Sequence, residues 1–213
     1  GGYVDRWGYP FCRGRIFDMV ETDTGQYDDI AEVFWASGAA LFIRRQVYMA
    51  VGGLDPRFFA HQEEIDLCWR LRSRGYRLLC TPRSVVYHVG GGTLHVESPH
   101  KTFLNFRNNL LMIYKNLPDQ DLRRVMRWRF MLDYLAAIRF VLTGHPKNAW
   151  AIVRARNVFG QWKHEYAAIR KENLEKTHAY PVPEMMKQSL LLNFYLRGMK
   201  KFSDLMQPPS SKF

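Results

Sequence analysis

The stretch from Phe58 to Arg70 reads FFAHQEEIDLCWR and sets three carboxylates, Glu63, Glu64 and Asp66, between an aromatic pair and the apolar start of a helix. In helical register Glu63, Asp66 and Arg70 share one face, while Ile65, Leu67, Cys68 and Leu71 supply apolar cover around the rest. The helix dipole favours acids in a first turn, which accounts for Glu63 and Glu64 without any chemistry. Adjacent carboxylates also repel, so at least one of the pair has a raised pKa. A carboxylate tuned in that way is suited to be a general base. Both readings of the acidic run stand at this level.

Outward from this helix, Gly75 supplies the expected C-terminal stop. Tyr76 to Thr81 and Ser84 to His88 read as two strands broken by Pro82, and Gly90 to Gly92 as a turn. Upstream, Phe34 to Arg44 (FWASGAALFIR) reads as a buried strand, and Arg45 to Val51 as a short helix stopped at Gly52 and Gly53. Gly1 to Glu32 mixes glycine, aromatic and charged residues without a clean period and is expected to form loops with short strands. Strand, helix and strand in that order predict a layered α/β domain.

After Pro99 the pattern turns helical. Phe103, Phe106, Leu110, Ile113 and Leu117 form an apolar stripe, and further helices are expected over Asp121 to Leu142, Lys147 to Asn173 and Glu184 to Met206, with a frayed tail from Gln207. The chain is therefore divided at Pro118 into an α/β part, 1–117, and a helical part, 118–213. Of its 31 Lys and Arg and 20 Asp and Glu, the helical part holds 17 and 8. Arg123, Arg124, Arg127, Arg129 and Arg139 alternate there with Met126, Trp128, Phe130, Met131, Leu135 and Phe140. A basic amphipathic helix of this kind suits an anionic membrane surface, and a solvated face of a helical bundle has the same pattern. No recognised binding module surrounds the charge, which argues against nucleic acid.

With 213 residues, 47% of them hydrophobic, the chain can bury a core. Cys12, Cys68 and Cys80 form an odd set without CxxC spacing, against a disulfide framework or a zinc ribbon and in favour of a reducing cytosol. There is no signal-peptide pattern and no apolar run of about 18 residues. The opening at Gly1 without methionine reads as the latter part of a longer protein.

In order, WASGAALFIRR (Trp35 to Arg45), VGGLDPRFFAHQEEIDLCWRLRSRGYRLLCTP (Val51 to Pro82), VVYHVGGGT (Val85 to Thr93) and RNNLLMIYKN (Arg107 to Asn116) resemble the C-terminal half of family 2 glycosyltransferases of the rhamnosyltransferase-like kind. The resemblance implies a partial GT-A fold followed by an α-helical region. It also implies inverting transfer of a single sugar from a nucleotide-diphosphate donor to a hydroxyl of a lipid-linked or polysaccharide acceptor, with Mn or Mg at the leaving diphosphate. Carried over residue by residue, it makes Glu64 the base with Glu63 next in line, places Asp66 in the same catalytic motif, and makes His88 a metal ligand. Imidazole there favours Mn over Mg. Ser37 and Gly38 fall where the family's backbone passes close to bound sugar, with tight backbone packing as an equal reading, and Gly91 and Gly92 after His88 either let the backbone approach a phosphate or make a turn.

Two departures stand out. Glu replaces the family's Asp at position 64, and His61 stands where Tyr is common. The family's Asp-x-Asp motif has no counterpart, since Asp28 and Asp29 follow Tyr27 in a polar stretch, so the donor-binding half is expected upstream of Gly1. The Gln-x-x-Arg-Trp motif of processive synthases is absent too. The acidic motif, His88 and the basic helical tail together lead to the expectation of a glycosyltransferase working at the cytoplasmic face of a membrane. A noncatalytic membrane- or partner-binding scaffold on the same fold is the alternative.

Overall fold

The computed structural model describes residues 1–88 and 98–206. Within them the fold is mixed α/β, with eight helices and a small mixed sheet. The sheet comprises β1 (Gly2–Asp5), β2 (Pro10–Cys12), β3 (Arg15–Ile16), β4 (Met19–Val20) and β7 (Met185–Met186), in the order β4-β3-β2-β1-β7. All neighbours are antiparallel except β1 and β7, which pair in parallel with Val4 opposite Met185. A second, two-stranded sheet joins β5 (Ala31–Glu32) to β6 (Leu79–Cys80). Gly2 is needed at its place: a Cβ there would lie 2.1 Å from the Phe11 carbonyl oxygen and within 3 Å of the Trp35 ring.

The helices are α1 (Arg45–Ala50), α2 (Glu63–Ser73), α3 (Pro99–Asn116), α4 (Asp119–Leu142), α5 (Pro146–Trp162), α6 (Ala167–Glu175), α7 (Leu190–Tyr195) and α8 (Phe202–Met206). α3 runs through the middle, packing on α2, α4, α5 and α6. α2 ends as its sequence requires. Gly75 adopts φ +86°, its N–H reaches the Arg72 carbonyl and the Tyr76 N–H reaches that of Leu71. One apolar core runs from Val4, Phe34, Phe58 and Trp69 through Leu110 and Ile113 to Val125, Phe159, Tyr166, Leu190 and Phe202. Residues on both sides of Pro118 contribute to it, so Pro118 separates regions of different charge that share one core.

Several expected elements take another form. Phe34 to Arg44 is not a strand: Trp35 makes a single bridge to Gly2, the Ala40 N–H bonds the Ser37 carbonyl in a turn, and Phe42 is 99% exposed. Apolar composition alone does not predict this, because only Phe34 and Trp35 are buried, with Leu41 and Ile43 packed on the core beyond the turn. Tyr76 to Thr81 keeps two residues of strand and Ser84 to His88 none. The helix expected over Lys147 to Asn173 breaks after Trp162, and the break seats Tyr166 fully in the core. It also lets Arg170 reach the Tyr114 and Leu117 carbonyls. Glu184 to Met206 resolves into β7, α7 and α8. Ser189 caps α7, the Leu190 N–H donates to the buried Asp5 carboxylate at 2.8 Å, and Gly198 turns the chain at φ +68°.

Candidate active site

α2 begins at Glu63, so both adjacent acids lie in its first turn, as the spacing predicts. The loop that delivers them is strained. Phe59, His61 and Gln62 all have positive φ, between +63° and +73°, without being glycine. Such residues cost on the order of 1–3 kcal/mol each and persist only where their surroundings hold them. Here α3 does the holding. The Asn108 side-chain amide donates to the carbonyls of Phe58, Ala60 and His61 at 2.9, 2.9 and 2.8 Å. Arg107 donates to those of Arg57 and Phe58, and the Asn109 amide reaches the Gln62 side-chain oxygen at 3.2 Å. Asn108→Ala removes three of these bonds at once, and we expect it to cost about 2–3 kcal/mol in denaturant unfolding and to lower activity with it.

Burial, and after it the charge of Glu63, pushes the Glu64 carboxyl up to about 7. The helix dipole pulls the other way and is outweighed. Three buried side-chain atoms of this loop and turn lack hydrogen-bond partners among the described residues: His61 Nε2, Glu63 Oε2 and Glu64 Oε2. Burial, with Lys101 behind it, drives the His61 pKa down, so the half-buried ring is neutral near pH 7. Unpaired buried polar atoms are costly, and these three fall within four residues of one another, in the strained loop and in the first turn of α2 that follows it.

The segment carrying Ser37 and Gly38 packs against α2. The Ala36 N–H lies 3.5 Å from Cys68 Sγ on α2, and a Cβ built on Gly38 would stand 3.9 Å from that of Glu64, in ordinary contact. Gly38 is therefore not demanded by crowding. Ser37 also lines a cavity of about 690 Å³ bordered by Arg44, Tyr76 and Arg77.

Asp66 corrects the expectation drawn from the motif. It is fully buried and accepts from Lys115 Nζ at 2.9 Å, Asn116 Nδ2 at 2.8 Å and Arg70 Nη2 at 3.0 Å. Burial opposes its charge, yet Lys115 and Arg70 beside it hold the carboxyl below its ordinary value. Arg70 in turn donates to the carbonyls of Val51 and Gly53, and Lys115 to Asp55 at 2.7 Å. Asp66 thus anchors α2 to α3 and has no oxygen left for a substrate. The Glu63, Asp66 and Arg70 face divides accordingly, the last two buried and paired, Glu63 partly exposed with one oxygen unpaired among the described residues. Arg107, Asn108, Asn109, Lys115 and Asn116, which the sequence alone gives no role, hold the acidic loop and helix in place.

His88 is exposed, and among the described residues it makes no hydrogen bond or ion pair with the carboxylates. Gly91 and Gly92 lie outside the described residues. Among those described, no group of three His, Cys, Asp or Glu could hold a metal ion. The Mn or Mg site implied by the resemblance is not assembled by these side chains, and no step is assigned to it below.

No protein-family model matches the chain, and no solved structure does. Curated proteins do. The chain is 39% identical over 56 residues to an N-acetylglucosaminyl-diphospho-decaprenol L-rhamnosyltransferase of Mycobacterium tuberculosis, covering 26% of this chain and 18% of that protein. It is 27% identical over 98 residues to a low-salt glycan biosynthesis hexosyltransferase of Haloferax volcanii, covering 46% and 32%. An O-antigen biosynthesis protein of Myxococcus xanthus is 28% identical over 81 residues, 38% of this chain and 6% of that one. The chain is a distant, partial homologue of glycosyltransferases. The matched segments span less than one third of the length of these relatives.

Proposed function

We propose that the chain carries the base-bearing part of an inverting, family 2 glycosyltransferase of GT-A type. It would move a single sugar from a nucleotide-diphosphate donor to a hydroxyl of a glycan or lipid-linked glycan acceptor. Glu64 carries the reading: a carboxylate with a buried, unpaired oxygen and a pKa of about 7, in the first helical turn after a strained loop. Near neutral pH such a group is part ionised and strongly proton-accepting, the compromise general bases require.

In this mechanism Glu64 takes the acceptor hydroxyl proton as that oxygen forms a bond to the sugar's anomeric carbon. The bond from that carbon to the diphosphate breaks with its electron pair, and one displacement inverts the centre. Glu63 keeps Glu64 basic by its charge, and Asp66 is a positioning residue. Gly38 lies beside Glu64, and the donor sugar would approach there, next to Ser37. The names of the relatives support sugar transfer, and the unpartnered acids favour catalysis over the noncatalytic scaffold.

Donor consumption by the whole protein bearing this chain, offered a panel of nucleotide-diphosphate sugars and lipid-linked acceptors, should disappear in the Glu63→Gln, Glu64→Gln double variant. Retained transfer would contradict the assignment. Glu63→Gln alone removes a negative neighbour and should lower the pKa of Glu64. The rising acid limb of the pH–rate profile should then move to lower pH, with transfer retained. Loss of transfer at every pH would instead make Glu63 the base.

A further inference from the structure

The side of α4 that faces away from the core is apolar. Its buried row is Val125, Arg129, Asp133 and Ala137. On the opposite side Trp128, Met131, Leu135, Ile138 and Leu142 follow at spacings of three and four and are 45% to 80% exposed. That spacing makes one stripe roughly 20 Å long. Its membership differs from the one read from sequence: Arg129 is buried against Asp133 and the Tyr9 ring, whereas Ile138 and Leu142 join the outside.

The stripe does not end with the helix. Arg139 Nη1 lies 3.5 Å from the Tyr195 hydroxyl, which brings the exposed Leu192 and Tyr195 of α7, and Leu196 just after it, beside the stripe. Phe17 packs edge-on to Phe194 at 4.9 Å, adding the exposed Met19 and Val20 of β4. At the other end Trp128 meets Trp7 at 5.5 Å. Contiguous exposed apolar surface on this scale marks an interaction site.

Along α4 itself, beyond its first turn, the exposed charge has one sign, although Asp18 lies between Phe17 and Met19 and Asp121 lies at the N-terminal end. Beyond the first turn the exposed charges of α4 are Arg123, Arg124, Arg127 and Arg139, and the helix's remaining acid, Asp133, is buried. Arg124 pairs with Asp121 in the first turn, while no carboxylate pairs with Arg127 or Arg139 among the described residues. At the N-terminal end, Arg6, Arg124 and Lys187 border a cavity of about 560 Å³.

We propose that this face, α4 with α7, docks on an anionic lipid bilayer, the helices lying in the plane of the headgroups with the apolar stripe below and the arginines at the phosphates. A second copy of the chain fits less well, because its identical face would set arginines against arginines, whereas anionic lipid neutralises them. Among the described residues no helix is long and apolar enough to cross a membrane, so the contact is an in-plane one. None of these side chains belongs to the acidic site, and the proposal stands independently of the function proposed for it.

Vesicle flotation of the 213-residue chain tests it. Binding is expected to mixed phosphatidylglycerol and phosphatidylcholine vesicles, to fall with salt, and to be near background with phosphatidylcholine alone. Leu135→Glu with Ile138→Glu should lower the anionic-vesicle partition at least about tenfold, with an unchanged circular dichroism spectrum. Should that variant misfold, Arg127→Gln with Arg139→Gln replaces it and must weaken binding and flatten its salt dependence. Absence of flotation, equal flotation on neutral lipid, or unchanged binding in both variants overturns the proposal. So does a lipid-free dimer in sedimentation that the glutamate variant dissociates, which would assign the face to a second copy.

Discussion

Glu64→Gln is expected to reduce sugar transfer by a factor of about 10² to 10⁴, the range over which a positioned general base contributes. Glutamine keeps the shape and fills the same volume but cannot take the acceptor proton. KM values should change little, because the loss falls on the transition state. The same variant should be more stable than the wild type at alkaline pH. The sign follows from the direction of the shift: burial and Glu63 raise the Glu64 pKa from 4.5 to about 7. The contribution of the neutral form is fully present below the unfolded value and is lost as pH rises through the folded one. The stability gap between variant and wild type should therefore open between pH 4.5 and about 7 and stay constant above. Its size, discounted for partial exposure, is about 1–3 kcal/mol. A residue whose removal stabilises the fold while abolishing transfer is serving function at the expense of stability. Unchanged transfer in Glu64→Gln would remove the base from the mechanism.

Asp66→Ala should do the reverse, destabilising the fold strongly. It strips the shared partner from Lys115, Arg70 and Asn116 inside the core. Breaking a buried pair in this way typically costs about 3–5 kcal/mol, because cations are left without compensation. At roughly 2–4 °C per kcal/mol for a chain of this size, thermal unfolding should begin about 6–20 °C lower. Lys115 retains Asp55 and Arg70 retains two carbonyls, which places the outcome toward the lower end. Asp66→Asn separates anchoring from chemistry: it keeps most of the geometry, and whatever transfer it retains per folded molecule should show an unshifted pH profile. A profile shifted like that of a base variant would return Asp66 to the proton path.

The helical framework and the acidic turn were legible in sequence for local reasons. α2 has apolar cover, first-turn acids and a glycine stop, and α3 an apolar stripe after Pro99. Those signals need no tertiary partner. What escaped depends on partners far along the chain. Asp66 looks like Glu63 and Glu64 until Lys115 and Asn116 arrive from α3, 49 and 50 residues away. Asn108 has no local signature, since its role is to satisfy three carbonyls of a loop 47 to 50 residues earlier. The quoted RNNLLMIYKN segment thus acquires a physical meaning, its first three residues gripping the acidic loop and its last two the acidic helix. Phe34 to Arg44 was misread because composition carries no information on which side chains meet the core. Glu184 to Met206 was misread because the pairing of Met185 with Val4 outweighs helical propensity.

The account rests on Glu64 holding its proton to near neutrality, and that can be measured in the chain itself. With side-chain carboxyls of glutamate labelled with ¹³C, a pH titration followed by NMR should show one carboxyl with a midpoint near 7. It should be missing in Glu64→Gln and moved to lower pH in Glu63→Gln. A spectrum in which every glutamate titrates around its ordinary value, about 4.3, would contradict the account.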